Sequence, residues 1–392
     1  MEMKEIARQL GVETYPEILN TICQNLDDTP ACDLGLIANA QALYKAFGTH
    51  YDYVVEGAKQ INADPVYSAW VKTVHAYLAD ESLGSYRDLP VLPLNGTPKQ
   101  DLAMLMTMIP FIPSAAATYA KGGFSEEEIA GYMQAYSHNL NSTLNRTGFV
   151  GLDKTYFMWL HHFAFAEIFR VHGIQFEFTK LNKNGAYLKN KNTGKVQPVM
   201  ANGLIHHSGE KLVGAGGYED ETGAYQGELT ETEDSFIAYA VVNCVAEKEK
   251  TEFPKTEWEL IGKPGDKCLA MHLPRGSDIR EENVRRACAA AFAVVEKSYP
   301  AYVGVPVQCA SWLLDPGIEK LVGSDSNVVR FGKLFARILS KSPGRAADSF
   351  VFPGKPVADA DLPEDTRLQR ALKQHYLNGG YTYGTTGILV LD

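Results

Sequence analysis

The sequence contains one segment whose residues could bind a phosphate group. The run AMHLPRGSDI (residues 270–279) begins as an apolar strand, breaks at a proline and continues through Arg-Gly-Ser into a predicted helix. The first turn of a helix has unpaired N–H groups and a partial positive charge, so Arg275 and Gly276 in front of it suit a phosphate or pyrophosphate. The alternative is a capped helix, in which Ser277 or Asp278 accepts hydrogen bonds from the free amides.

A second apolar strand ends in small and polar residues. The run VQCASWLLDP (residues 307–316) places Cys309, Ser311 and Asp315 at or just after the carboxyl end of the strand. Active-site groups of open α/β sheets collect at this end of the strands, so all three residues are candidates for a catalytic role. In the alternative interpretation Cys309 is an inert buried thiol, and Ser311 or Asp315 only caps the following helix.

Two pairs of adjacent histidines do not have the spacing of a zinc site. The pairs are His161-His162 and His206-His207, and the sequence has no H-E-x-x-H motif. Adjacent residues in a helix point about 100° apart, so two such imidazoles do not easily face one metal. We therefore predict no metal site. The sequence also has no G-x-S-x-G, Walker or Rossmann motif.

The elements that position these residues divide the chain into a helical part and a strand-rich part. Residues 1–153 show helical periodicity with little strand patterning, and Ser125 with Glu128 forms a capping box at a helix start. A further helix is predicted at 154–171, and strands and turns follow from 174 to 273. The first of them, Ile174 to Phe178, alternates apolar and polar residues, as a half-buried strand does.

Helices and strands alternate after residue 274. The predicted elements are a helix at 284–295, a strand at 301–310, a helix at 327–339, a strand at 349–352, a helix at 366–377 and a strand at 386–391. This order predicts an all-helical N-terminal domain followed by a strand-rich α/β domain. The glycine-rich stretch at 214–217 lacks the Lys-Ser/Thr of a phosphate loop and is interpreted as a flexible loop.

Composition is typical of a soluble globular protein. The chain has 392 residues, a formal net charge of −10 and 45% hydrophobic residues. The acidic excess argues against a nucleic-acid partner or a membrane surface, because both need a basic field. Pro110 and Pro113 interrupt the apolar stretch at 102–120, which predicts two short packed helices and no membrane span. Six cysteines without C-x-x-C spacing, and no visible signal peptide, predict a cytoplasmic location.

Five ordered motifs resemble those of one protein family. They are WLHH followed by GIQFE (159–177), HLPRG (272–276), CASWLLDP (309–316), DSNVVRF (325–331) and LPEDTRLQRA (362–371). The chain resembles bacterial acyltransferase-domain proteins, in which a helical N-acyltransferase N-terminal domain precedes a GNAT-like C-terminal domain. The resemblance implies a helical domain over 1–153 and a GNAT-like mixed β-sheet flanked by helices over 154–392, with 154–173 as a linking helix.

The resemblance also implies an activity and a co-substrate. The protein would transfer an acyl group from acyl-CoA to the amine of a small molecule or peptide, without a metal. The loop of Pro274, Arg275, Gly276 and Ser277 would hold the pyrophosphate of CoA. Where the family often has a histidine before the Ser-Trp pair, this chain has Ala310.

The implied mechanism is direct attack of the amine on the thioester. It needs a base for an ammonium of pKa about 10 and an acid for a thiolate of pKa about 8.5. His272 and Asp315 are the candidate bases, and Ser311 and Cys309 are the candidate proton donors. Two other classes stay open: a non-catalytic ligand-binding or regulatory protein with the same fold, and a hydrolase that pairs Cys309 with His272.

Overall fold

The structure is a computed structural model that describes residues 2–182, 185–202, 205–207, 211–212, 224–274, 276–339, 344–352 and 357–391. Arg275 and the glycine-rich stretch at 214–217 lie outside the described residues. The chain forms two compact units, Met1–Ile168 and Phe169–Asp392. The first is helical and the second is built on β-sheets with helices, so the predicted α+β fold is confirmed.

The first unit consists of α-helices joined by short turns. In chain order they are α1 (Met3–Gln9), α2 (Ile18–Gln24), α3 (Leu34–Tyr44), α4 (Tyr51–Ala63), α5 (Pro65–Leu78), α6 (Pro98–Met108), α7 (Ile112–Lys121), α8 (Glu126–Met133), α9 (Ala135–Thr147) and α10 (Lys154–Ala164). Asp33, Asp64 and Asp153 accept hydrogen bonds from first-turn amides of α3, α5 and α10. Ser125 and Glu128 form the predicted capping box of α8. These caps satisfy N–H groups that a helix leaves unpaired.

Helix α6 is the centre of the first unit. Its residues 100–108 are all buried, and α4 and α5 pack against it. A 3-10 turn at Ile109–Phe111 separates α6 from α7, so the predicted break at the prolines is confirmed. The whole stretch Pro98–Lys121 is long and apolar enough to cross a membrane by length and composition, yet 67% of its most apolar window is buried in the protein. Core helices pass the same test.

The helix predicted at 154–171 is shorter than its sequence pattern indicates. Helix α10 stops before Ala166, which takes a left-handed conformation with φ of 52°. The Glu167 N–H then donates to the His162 carbonyl at 2.8 Å and closes the helix end. A strand, β1 (Ile168–Val171), follows directly. The helical prediction for these last residues is wrong, because β-branched residues at helical spacing suit a strand equally well.

The second unit contains the strands. In chain order its further elements are β2 (Ile174–Lys180), β3 (Gly185–Asn190), β4 (Val196–Met200), β5 (Ile205–His207), β6 (Lys211–Leu212), β7 (Ala224–Gln226), β8 (Leu229–Glu231), β9 (Ser235–Val242), β10 (Val245–Pro254), β11 (Trp258–Gly262), β12 (Lys267–His272), α11 (Glu281–Ser298), β13 (Val307–Ser311), α12 (Ile318–Val322), α13 (Asn327–Lys333), β14 (Phe335–Leu339), α14 (Asp348–Val351), α15 (Arg367–Leu377) and β15 (Thr385–Leu389).

Two large sheets organise this unit. The first has the order β1-β2-β12-β13-β15-β14, and only its central pair among the described ladders, β12 and β13, is parallel. Helix α11 is the crossover that a parallel pair requires. The second sheet has the order β10-β9-β4-β3-β11, with β8 paired to β9, and its ladders are antiparallel. It is built from residues between β2 and β12, the region predicted as strands and turns.

The strand expected at 301–310 begins only at Val307, after a 3-10 turn at Pro300–Tyr302. Two further predicted elements in the last third have a different secondary structure from the one expected. The helix expected at 327–339 ends with α13, and its second half is the edge strand β14, which pairs with β15. The strand expected at 349–352 lies in the short helix α14 and the residue after it, where the Phe352 N–H donates to the Asp348 carbonyl at 2.8 Å. Both differences depend on whether a partner strand lies alongside, which local periodicity does not report.

Candidate active site

The central parallel strands part at their carboxyl ends. The ladder between β12 and β13 consists of Leu269 opposite Val307 and Ala270 opposite Gln308. Beyond these residues, each strand stays paired only with the neighbour on its other side. Strand β12 pairs with β2 up to His272, and β13 pairs with β15 up to Ser311. The described ladders therefore leave a gap between the two strand ends. An extended molecule with amide groups can enter such a gap and pair with strand backbone.

His272 lies at this gap and is paired with a carboxylate. Its Nε2 is 2.7 Å from Oε2 of Glu177, which belongs to the neighbouring strand β2. Glu177 is opposite Ala270 in the ladder, so its side chain shares a face of the sheet with Ala270 and His272. The Glu177 side chain is 10% exposed and that of His272 is 33% exposed. A buried carboxylate thus orients an imidazole that is accessible, an arrangement suited to proton transfer.

The sequence interpretation did not include Glu177. The segment Ile174 to Phe178 alternates apolar and polar residues and correctly predicts a half-buried strand. A carboxylate between two phenylalanines in such a strand is the sequence signal that indicates a buried functional acid. Its partner His272 is 95 residues away in the chain, so only the register of β2 against β12 brings the two together.

Cys309 does not belong with His272. Met271 and Cys309 follow the paired residues Ala270 and Gln308 by one position, so their side chains point to the opposite face from His272. The Cys309 side chain is 1% exposed, and burial raises its pKa to about 12. A nucleophilic cysteine needs the opposite environment, exposed and with a lowered pKa. The burial and the raised pKa of Cys309 therefore favour the inert-thiol alternative over the hydrolase interpretation and over a role as a proton donor.

Ser311 and Asp315 both hold the backbone after β13. The Ser311 hydroxyl accepts a hydrogen bond from the Leu313 N–H at 3.2 Å and caps a 3-10 turn. Asp315 is buried, and its two oxygens accept from the Gly317 and Tyr383 N–H groups at 2.8 and 2.9 Å. Burial raises the pKa of Asp315, while these backbone bonds act to lower it. The capping alternative accounts for the contact of Ser311, whereas Asp315 joins two backbone segments that are far apart in the chain.

The loop after β12 is fastened to the sheet by Ser277. Its hydroxyl donates to the carbonyl oxygens of Gly173 and Pro274 at 2.9 and 2.7 Å, and its N–H also donates to the Pro274 carbonyl, at 3.0 Å. Gly276 lies inside this turn with φ of 84°, and a Cβ built there would meet no other atom within 4 Å. Glycine is therefore needed for its backbone conformation. Ser277 therefore does not cap the next helix, which the capped-helix alternative allowed for either Ser277 or Asp278.

Helix α11 begins without a side-chain cap. Its N-cap residue is Arg280, whose side chain accepts no hydrogen bond, and Asp278 instead accepts from the Arg280 N–H at 3.0 Å. The first-turn amides of an 18-residue helix thus have no capping side chain and can bind an anionic oxygen. Glu281 and Glu282 lie in the same turn and oppose an anion there, although Glu281 forms an ion pair with Arg285 at 2.8 Å.

The predicted site residues therefore divide into three groups. His272 lies at the gap between β12 and β13, and Pro274, Gly276 and Ser277 form the turn that leads from it toward α11. Cys309, Ser311 and Asp315 have the buried or backbone-holding positions described above. Arg275 lies outside the described residues, so its role stays a prediction.

Comparisons with known proteins are consistent with this architecture. Among solved structures, an acyltransferase in complex with decanoyl-CoA is 14% identical, with a TM-score of 0.65. An acyltransferase in complex with decanoyl-CoA and teicoplanin is 16% identical, with a TM-score of 0.65. A mutant acyltransferase in complex with octanoyl-CoA is 15% identical, also with a TM-score of 0.65. Each match covers 100% of both chains, and at these identities it shows a shared fold.

A family model gives the assignment. No curated protein matches the chain at a significant level. The family described as "GNAT-like C-terminal domain" matches residues 168–389, which is more than half of the chain and includes the sheet with β12, β13 and the His272–Glu177 pair. The chain therefore belongs to the family of proteins with a GNAT-like C-terminal domain.

Proposed function

We propose that this protein is an N-acyltransferase that moves an acyl group from acyl-CoA to the amine of a small molecule or peptide. The observation that carries the proposal is the early end of the β12–β13 ladder beside the His272–Glu177 pair. The pantetheine arm of acyl-CoA is an extended chain with two amides, which suits a gap between two strand ends. The thioester at the end of this arm would then lie near His272.

The start of α11 supports the same placement. Helix α11 follows β12, so its uncapped amides lie on the chain a few residues after the strand end that borders the gap. The pyrophosphate of CoA carries the negative charge that such amides bind. The turn of Pro274, Gly276 and Ser277 leads into this helix, and Arg275 stays a sequence-based candidate for a charged contact with the phosphates.

His272 is the proposed general base. When Nε2–H donates to Glu177, Nδ1 is the atom that accepts a proton, and the carboxylate stabilises the imidazolium that forms. The base takes a proton from the substrate ammonium, and the amine nitrogen attacks the thioester carbonyl carbon. The C–S bond then breaks, the nitrogen gives up its second proton to water, and the CoA thiolate receives the proton held by the imidazolium. The products are an amide and free CoA.

Acyl-CoA binding and turnover test the proposal separately. Calorimetric titration of decanoyl-CoA and octanoyl-CoA, the ligands of the structural neighbours, should show binding to the wild-type protein. Teicoplanin, which is bound in one neighbour, is the first amine acceptor to test, with release of free CoA thiol as the readout. We expect His272→Gln to keep its affinity for acyl-CoA and to lose about 100- to 10,000-fold in kcat.

The possible outcomes separate the remaining classes. If the wild-type protein binds neither CoA nor either acyl-CoA, the proposal is wrong. Binding without transfer to any of a panel of amines would favour a non-catalytic ligand-binding protein. Ala310, which replaces a histidine often found in the family, is the observation that favours this second candidate. A cytoplasmic location stays a prediction.

A further inference from the structure

The end of α10 brings three ligand-type side chains together within the first unit. Oε2 of Glu167 lies 3.3 Å from Nδ1 of His161 and 3.0 Å from Nδ1 of His162. The three candidate ligand atoms all lie within 4.8 Å of one another. The left-handed turn at Ala166 causes this, because it folds the chain back so that Glu167 meets the last turn of the helix. Two adjacent histidines therefore do face one point, contrary to the expectation from helical geometry.

The backbone at this turn is strained in the way that functional sites often are. Ala166 has φ of 52°, a conformation that costs a residue with a Cβ about 1–2 kcal/mol. Glycine is the usual residue at such a helix end. Contacts elsewhere in the structure must therefore stabilise this backbone conformation. The conformation in turn places the Glu167 carboxylate beside the two histidines.

Aromatic rings fix the orientation of the two imidazoles. The ring of His161 is stacked between Tyr86 and Phe165, with centroid distances of 3.7 and 4.2 Å and interplanar angles of 14° and 16°. The His162 ring meets Trp159 edge to face at 5.6 Å. The histidine side chains are 9% and 10% exposed, whereas Glu167 is 32% exposed and keeps contact with solvent. The site is thus rigid and reachable.

We propose that His161, His162 and Glu167 bind a divalent transition metal of the zinc class. Two imidazole nitrogens and one carboxylate oxygen are the donors such ions take when a coordination position is left for another ligand. Tetrahedral zinc with bonds of about 2.0–2.1 Å separates its ligand atoms by about 3.3 Å. The two separations that involve Glu167, 3.0 and 3.3 Å, are close to this value, and all three ligand atoms lie within 4.8 Å of one another.

Metal binding replaces hydrogen bonds that now hold the cluster. Donation from both Nδ1 atoms to Glu167 requires a proton on each of them. On binding, the metal takes the Nδ1 lone pairs, so each neutral imidazole then carries its single proton on Nε2. The carboxylate is already ionised: burial acts to raise its pKa, but the hydrogen bonds from the two imidazoles hold it at about 2. No redox step or co-reactant is involved.

The test uses the full chain, freed of metal with a chelator, and the metals alone. We expect calorimetry with Zn²⁺ to show one site, and Co²⁺ to give the intense visible absorption of a tetrahedral site. Glu167→Gln and His162→Gln should each weaken binding by more than the roughly 10- to 100-fold that loss of an outer-sphere partner costs. His138→Gln is the matched control, because His138 is an exposed histidine on α9 in the same unit. It should bind as the wild type does.

Two results would overturn the proposal. One is no saturable binding to the wild-type protein at about 1 mM free Zn²⁺. The other is equal affinity in the wild type, Glu167→Gln and His162→Gln, which would mean that the metal binds elsewhere. Gln has nearly the same shape as Glu, so Glu167→Gln should fold, which circular dichroism checks. This variant decides the matter if His162→Gln does not fold. Acyl-CoA is absent from the assay, so its result is independent of the proposed transferase activity.

Discussion

Glu177 and His272 form a hydrogen-bonded pair across neighbouring antiparallel strands, with 2.7 Å between Oε2 and Nε2. The Glu177 carboxylate is buried and the His272 imidazole is partly exposed. The buried carboxylate therefore orients an imidazole that solvent can reach. This asymmetry separates the roles of the two residues. His272 would meet the substrate, and Glu177 would act through His272.

Glu177→Gln should impair the general base more than the binding of substrate. The amide can still accept the Nε2 hydrogen bond, but it no longer stabilises an imidazolium. We expect kcat to fall by roughly 10- to 100-fold, KM to stay close to its wild-type value, and the acidic limb of the pH–kcat profile, where a general base is lost to protonation, to be altered. Initial rates between pH 5 and 9 measure this. An unchanged pH profile with a raised KM would show that Glu177 has only a structural role.

Glu282→Gln should strengthen CoA binding. Glu282 lies in the first turn of α11, where its charge opposes the pyrophosphate that we place there. Removing that charge should tighten binding about 2- to 5-fold at low salt. Glu296→Gln makes the same charge change near the other end of the same helix, roughly 20 Å away, and should have little effect. Calorimetric titration of CoA into both variants checks this, and equal shifts in the two would contradict a site at the start of α11.

Cys309 should be chemically inert. All six cysteines of the chain are buried, and a thiol with a pKa of about 12 has at least about 1,000-fold less thiolate at neutral pH than a free thiol. Iodoacetamide should therefore label the native protein slowly and label all six cysteines only in denaturant. Cys309→Ala should lose about 1–2 kcal/mol of stability and keep its transferase activity. Fast labelling of Cys309 in the folded protein would revive the thiol-based mechanism.

Asp315→Asn should affect stability and leave catalysis unchanged. One of the two backbone N–H groups that Asp315 accepts from would then face an NH₂ group, which costs about 1–3 kcal/mol. Chemical denaturation measures the loss, and kcat at a temperature where both proteins are folded measures catalysis. A large fall in kcat of the fully folded variant would instead identify Asp315 as the general base, the second candidate from the sequence.

Glu167 should make stability depend on pH in acid. Its pKa in the folded protein is about 2, below the ordinary value of 4.5, so the unfolded chain binds the proton more readily. The ionised carboxylate therefore stabilises the fold above about pH 4.5, and this contribution is lost as the pH falls from there toward 2. The contribution is at most about 3 kcal/mol, and less because the side chain is partly exposed.

The test measures the free energy of unfolding of the wild type and of Glu167→Gln by chemical denaturation, in the presence of a chelator and across a range of pH. The difference in the free energy of unfolding should be largest near neutral pH and should shrink below pH 4. A difference that stays constant from pH 7 to pH 3 would show that the charge of Glu167 contributes nothing to stability.

The sequence by itself determined the features that depend on residues close together in the chain. Helical periodicity gave the first unit, the Ser125–Glu128 capping box was readable at once, and alternation at Ile174 to Phe178 predicted β2. The apolar run that ends at His272 indicated β12, and the run at 301–310 indicated β13, which begins only at Val307. Each of these features is set by hydrogen bonds or side-chain faces within a few residues.

The tertiary structure decided everything that depends on residues far apart. The residues after α10 and α13 continue the helical spacing, yet they become β1 and β14 because partner strands lie alongside. The same register that pairs β2 with β12 joins Glu177 to His272 and turns Cys309 to the other face. A left-handed turn at Ala166 brings Glu167 onto both histidines. Which side chains pair depends on strand register and on backbone turns, and the residue types at these positions do not specify either one.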